Sequence, residues 1–393
     1  MYTTTHRGST LVHGVAARRR VRVVGLALAL TAAVATGSSA VASTVNGGGG
    51  QSPHRHAAVF SRFVPGADMG DLYRIDAGGT VEHLIRSVFD AAILSPDGTH
   101  FLDFAPTPDD RGSAAVFNVD GSGYQVLPIP DPTLQLPGGV WSAGSSRIAA
   151  EGWGPDGNPS GVGIYSRRSS DGGGLIKLTD AGASHDRPVK SSPDGSKLVF
   201  FRPDGKGETS DSAPQDAFVV GADGSGLVRL SPPGTTTAFV FSHDAVSWSP
   251  DGSKVAIALT NGPFWTNTSR SVYVGRSNGS DFRRIGPRGD IWDAVWSPDG
   301  RWVAFTMATK ASNGLHELLL MHPDGSALHT LVSSNDGLFS LQPVWSPDSD
   351  QLLFIRGSDD VHVVDLWSIN VDGSQLYQVT HLPSEYRGVA WLP

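Results

Sequence analysis

The chain has 393 residues and no cysteine, so it is long enough to hold itself together by packing and must do so without disulfides. It carries 30 basic and 38 acidic side chains, a balance that argues against the basic face of a nucleic-acid binder. Five of those arginines fall within the first 42 residues, leaving 25 basic against 38 acidic groups in the remainder, a net charge of −13.

The first 42 residues contain Arg7, Arg18, Arg19, Arg20 and Arg22 and no acidic residue. Residues 23–35 are all apolar or small, and Ala40-Val41-Ala42 follows. A basic region, a short apolar core and an Ala-x-Ala site predict a signal peptide cut after Ala42. The apolar run is shorter than the roughly 20 residues a spanning helix needs, so no stable membrane insertion is expected after leader removal. Sec and twin-arginine export both remain open, because Arg18-Arg19-Arg20 is followed by Arg22. The expected destination is the periplasm, the cell envelope or the medium. Residues 43–57, with four consecutive glycines and His54-Arg55-His56, read as a flexible linker.

From residue 58 onward one motif recurs. Ser95-Pro96-Asp97-Gly98, Ser192-Pro193-Asp194-Gly195, Trp248-Ser249-Pro250-Asp251-Gly252 and Trp296-Ser297-Pro298-Asp299-Gly300 are clean copies. Trp345-Ser346-Pro347-Asp348-Ser349 differs at one residue, Trp141-Ser142-Ala143-Gly144 is degraded, and Trp391-Leu392-Pro393 is cut short. The steps between copies are 46–57 residues, the period of a repeat architecture. Ser-Pro-Asp-Gly suits a type I turn, because proline presets φ at the second position and Asp and Gly tolerate the next two. Short β-branched and aromatic runs flank it, so each copy reads as a hairpin between two strands. A second set of hairpin dipeptides follows in each repeat, at Asp120, Asp171, Asp223, Asn278, Asp324 and Asp372, each before a glycine. Four antiparallel strands per repeat make a β-propeller blade.

The termini set the count. Three strands near residues 58–60, 71–75 and 81–85 lack a preceding Ser-Pro-Asp-Gly, while residues 388–391 form a lone strand. Joined, they make one blade shared by both ends, which closes the ring. Residues 55–393 divided among seven blades give about 48 each, matching the period. The expected fold is an all-β, seven-bladed propeller over residues 58–393, with six blades as the alternative. The pattern Trp-Ser-Pro-Asp-Gly-x-x-(Ile/Val)-Ala-Phe resembles the WD-like repeat of TolB-type β-propellers. The resemblance covers nearly all of the chain after the leader. It implies the fold of the wider superfamily rather than TolB itself, whose six blades and additional α/β domain do not match this count.

The two hairpin sets fall on one face. The connections on the other vary in length, so that face is the candidate binding face. Residues just before each inner strand should rim the channel there: Asp90, His185, Asp186, Arg187, His243, Asp244, Asp290, Trp292, Asp293, Gln342, Glu385, Tyr386 and Arg387. Phe264 and Trp265 are candidate loop aromatics for the same ligand. Gly275-Arg276-Ser277-Asn278-Gly279 matches a nucleophile elbow, but it lies on a strand-to-strand hairpin where the elbow requires a helix. His316-Glu317 lacks the second histidine of a zinc-protease helix and sits on a strand. His185 and His243 are the candidate ligands if a divalent metal binds; no other cofactor is expected. The expected function is a non-enzymatic, monomeric binding module for a protein, peptide or glycan, the alternative being a metal-assisted lyase or other carbohydrate-active enzyme on the same scaffold.

Overall fold

The computed structural model describes residues 56–393 apart from 65–68, 79–81, 90, 110, 155–160, 182–184, 204–214, 238–244, 262–268, 310, 359–362 and 382–383. The expected leader and most of the linker lie outside the described residues. Local chemistry builds the hairpins first. Gly252 N donates to Ser249 O at 2.9 Å, closing a turn around Pro250 and Asp251. Ser249 Oγ donates to Asp251 Oδ1 at 2.6 Å and accepts Lys254 N at 2.9 Å. The same pair of bonds recurs at Ser95, Ser192, Ser297 and Ser346. In the second hairpins Gly121 N donates to Asn118 O and Asn118 N to Ser122 O, with φ +84° at Gly121. This is a type I turn followed by a glycine bulge. Asp120 Oδ1 accepts both the backbone N–H and the hydroxyl of Ser122, which fixes the turn from inside.

These hairpins link strands into seven antiparallel sheets. Blade 1 takes its inner strand, Glu385–Trp391, from the C-terminal part and its other three, Ala58–Phe63, Gly70–Ile75 and Glu82–Val88, from the N-terminal part. Blades 2 to 7 follow in chain order, with second strands His100–Ala105, Arg147–Gly152, Lys197–Pro203, Lys254–Asn261, Val303–Ala308 and Gln351–Ser358. The fold is a seven-bladed β-propeller, and the six-bladed alternative is excluded. Among the described residues no helix is long and apolar enough to cross a membrane.

Burial explains the residue choice. Second strands are covered on both faces by neighbouring blades, so Val303–Ala308 is buried at every position. Outer strands such as Gln125–Val126 and Arg283–Arg284 are short and exposed, which blunts the blade edges. The apolar side chains cluster between blades: Phe201 and Ala217 meet Trp248 and Ile257, Val272 meets Phe305, and Leu320 meets Phe354. The ring closes in the same way, with Phe60 and Ile75 against Leu353 and Leu366. The repeated tryptophan adds a latch. Trp141, Trp248, Trp345 and Trp391 each donate the indole N–H to an inner-strand carbonyl of the preceding blade, at Ile93, Lys190, Val295 and Val344. Trp296 departs from this and donates to Gly300 O in its own turn.

The inner strands differ from expectation. The terminal one starts at Glu385 rather than Gly388, and Arg187 and Asp290 lie in strands rather than before them. Bulges interrupt the pairing of Arg187–Ser191, Phe339–Trp345 and Glu385–Trp391, and the inner strands of blades 5 and 6 are split in two. The bulges let each inner strand bend and resume pairing beyond the break, which carries it further toward the loop face.

Candidate functional site

In an antiparallel blade the ends of second strands and the starts of first and third strands share one edge. That edge is opposite the Ser-Pro-Asp-Gly turns, and the rim residues are found along it. Asp90, His243, Asp244, Phe264 and Trp265 lie outside the described residues. Three of the others are buried and hold the scaffold. Asp186 is fully buried and accepts Arg202 Nε and Nη2 at 2.6 Å each, a bidentate pair that raises the guanidinium pKa. Asp293 is buried and accepts Thr306 N at 2.7 Å, Thr306 Oγ1 at 2.8 Å and, from the next blade, Gln342 N at 3.1 Å. Gln342 sits at the bulge of its strand with φ +52°. Tyr386 packs against Phe60 in the core between blades 7 and 1, and burial pushes its phenol up to about 12.

The remaining rim residues fall into three groups. At the junction of blades 3 and 4, His185 Nδ1 meets Glu151 Oε1 at 2.5 Å, and the Trp153 ring stands edge-on to the imidazole. Burial pushes the Glu151 carboxyl up, while His185, and then Arg187, pull it back. Trp153 Nε1 donates to Gln135 Oε1 at 2.8 Å, and the two residues also form a backbone bridge. In blade 6, Trp292 Nε1 donates to Asp290 Oδ1 at 3.0 Å and its ring lies 4.8 Å from the His316 ring. Asp290 is 3.7 Å from Arg270 Nη1 and 3.8 Å from His316 Nε2, and the Arg270 guanidinium also donates to Ile291 O. In blade 1, Arg387 donates to Glu385 Oε1 through Nε and Nη2 and lies over the Phe63 ring at 4.7 Å.

Sequence reasoning missed Glu151, Trp153, Gln135, Arg270, Phe63 and the part His316 plays. Trp153 carried a signal, since it is a tryptophan out of register with the repeated one. Trp292 is 43% exposed, the one tryptophan among the described residues that is more exposed than half-buried. No group of three or more His, Cys, Asp or Glu able to hold a metal occurs among the described residues. Glu151–His185 and Asp290–His316 are pairs, and His185 is not placed relative to His243. An open cleft of about 470 Å³ lies elsewhere, lined by Thr107, Asp109, Arg111, Leu127 and Pro128 at the outer part of blade 2.

No known family model matches the sequence, and no curated protein matches it. Solved structures match across most of it. A puromycin hydrolase aligns over 84% of this chain and 53% of its own, with 14% identity and a TM-score of 0.59. An oligogalacturonate lyase from Vibrio parahaemolyticus aligns over 79% of this chain and 90% of its own, with 14% identity and a TM-score of 0.56. A putative TolB from Agrobacterium tumefaciens aligns over 86% of this chain and 99% of its own, with 14% identity and a TM-score of 0.46. What the chain shares with the lyase and the hydrolase is the β-propeller fold. At these identities the likeness is one of fold, and a fold does not by itself fix a function.

Proposed function

We propose that the chain is an exported binding module that recognises a glycan, peptide or protein at the loop face of the propeller. The observation that carries this reading is Trp292, an indole left 43% exposed between the two segments of the blade 6 inner strand, beside Asp290, His316 and Arg270. A large aromatic surface with a few fixed polar groups is the usual composition of a recognition site. The second reason is the scaffold beneath it. Asp186, Asp293 and Tyr386 are buried and paired, so the exposed groups stand on strands that do not need them for stability. Export follows from the leader, and no cofactor is needed for recognition.

The experiment starts with protein recovered from the exported fraction, whose chain should begin near Ser43. Glycan and peptide arrays then supply ligands for binding isotherms. Trp292→Ala and Arg387→Ala should abolish or strongly weaken binding with little change in melting temperature, well under the ~1 kcal/mol typical of point changes. Trp296→Ala, by contrast, should cost roughly 3–5 kcal/mol as a core aromatic. Unchanged binding in both rim variants would remove the site from this face. A stoichiometric divalent metal in the purified protein would favour catalysis over recognition.

A further inference from the structure

Two groups on the loop face are one constellation built twice. Each has a carboxylate two residues before a tryptophan, as Glu151-x-Trp153 and Asp290-x-Trp292, and a histidine from elsewhere in the chain beside both. The two copies occupy different strand positions: the first closes the second strand of blade 3, and the second opens blade 6. The repeat period therefore does not generate them, because residues in register would fall on the same strand of each blade. We propose that these are two subsites for neutral pyranose residues of a single oligosaccharide, an inference that rests on the loop-face reading above.

The chemistry is specific in three respects. Both indole N–H groups are already spent internally, on Asp290 Oδ1 and on Gln135 Oε1, which fixes each ring and leaves stacking as its remaining way to hold a ligand. The C–H face of a pyranose is apolar and flat, and stacks on such a ring with offset contact. Each carboxylate has lone pairs beyond those its partners use, and carboxylates accept without donating, which suits sugar hydroxyls. The charge of each carboxylate is balanced locally. Glu151 is paired with His185 and feels Arg187, and Asp290 lies between Arg270 and His316. Little uncompensated charge is left to hold either a cationic peptide or an anionic uronate or phosphate. A neutral polyol fits. Because the copies stand on separate blades, only a chain of several sugars engages both, and its second contact is intramolecular.

The test is calorimetry with neutral hexasaccharides of glucose, mannose, galactose and N-acetylglucosamine, with their disaccharides, and with oligogalacturonate and oligolysine. A neutral hexasaccharide should bind, its disaccharide at least about tenfold more weakly. Trp292→Ala and Glu151→Gln should each bring the hexasaccharide down to about the disaccharide level, and together abolish its binding. His185→Asn stands in for Glu151→Gln if circular dichroism shows that variant unfolded. Hexasaccharide binding that survives the paired substitutions overturns the two subsites. Binding of only oligogalacturonate, oligolysine or array peptides overturns the neutral-sugar assignment and leaves the binding-module reading standing. Failure of every probe and of both arrays overturns both.

Discussion

The same amino acid serves three ends in this chain, and only one of them could be read from its neighbours. Asp251 is a turn residue, recognisable from Ser249, Pro250 and Gly252 around it. Asp186 and Asp293 are buried anchors, and Asp290 belongs to an exposed group; three positions separate Asp290 from Asp293 and nothing local distinguishes them. Their roles depend on Arg202, Thr306 and Arg270, which come from other strands. The turn aspartates carry a testable consequence. Hydrogen bonds from Ser249 and Ser253 hold the Asp251 carboxyl down to about 2, and those from Ser192 and Ser196 lower that of Asp194. A depressed folded pKa contributes stability that is complete above the unfolded value of about 4 and is lost as pH falls through the folded value. Melting temperature should therefore be flat above about pH 4.5 and fall toward pH 2. Asp251→Asn should cost roughly 0.5–1 kcal/mol at pH 7, discounted for its exposure, and clearly less near pH 2. An equal deficit at both pH values would mean that the carboxylate charge is not what holds the turn.

Hairpins were legible because they are settled within five or six residues, whereas inner strands were not. Ser-Pro-Asp-Gly and Asp-Gly-Ser, with the two residues that flank them, contain most of the donors and acceptors their turns use. The inner strands take their bulges and their length from pairing with the second strand and from clamps on the preceding blade, such as Asp293 to Gln342 N. That is why Arg187, Asp290 and Glu385 were expected ahead of strands that in fact contain them. Trp153 was passed over for a related reason: its bridge to Gln135 joins residues beyond both ends of the hairpin that the degraded turn closes, out of reach of the turn motif. One glycine tests how tightly these elements are stacked. Gly195 has φ +70°, and a Cβ there would sit 2.1 Å from Gly144 N of the degraded turn in the next-door blade. Side chains avoid this φ, and backbone cannot yield as a flexible side chain can. Gly195→Ala should cost roughly 2–3 kcal/mol, whereas Gly226→Ala, also at positive φ but with open space around its Cβ, should cost about 1. Equal melting temperatures for the two variants would show that blade 4 does not press on blade 3 through this turn.

A propeller is stable as a closed ring, because every blade buries both faces only when its two neighbours are present. Here closure depends on one strand from the far end of the chain. Glu385–Trp391 pairs with Ala58–Phe63, and the register runs from Ala58 opposite Trp391 to Phe63 opposite Glu385. It also carries two elements of the blade 7 junction: Tyr386 within the apolar cluster, and the Trp391 indole donating to Val344 O at 3.0 Å. Leu392 N adds a bond to Ala57 O, and His56 lies 3.0 Å from Asp348, so the first described residues are tied to blades 1 and 7 together. Deleting residues 387–393 removes all of the blade 1 inner strand but Glu385 and Tyr386, the latch from the junction and the Trp391 side chain from the apolar cluster. Loss of the buried tryptophan alone is worth roughly 3–5 kcal/mol, and the unpaired strand edge adds to it. The truncated chain should melt roughly ten degrees or more below the full chain, with a broader transition. Trp391→Phe keeps most of the burial and loses only the latch, so it should fall by no more than a few degrees, about 1 kcal/mol. A truncated chain that melts with the full one would mean that blade 1 is held by its three N-terminal strands alone. A Trp391→Phe variant as damaged as the truncation would place the strength of closure in the indole hydrogen bond and not in the strand.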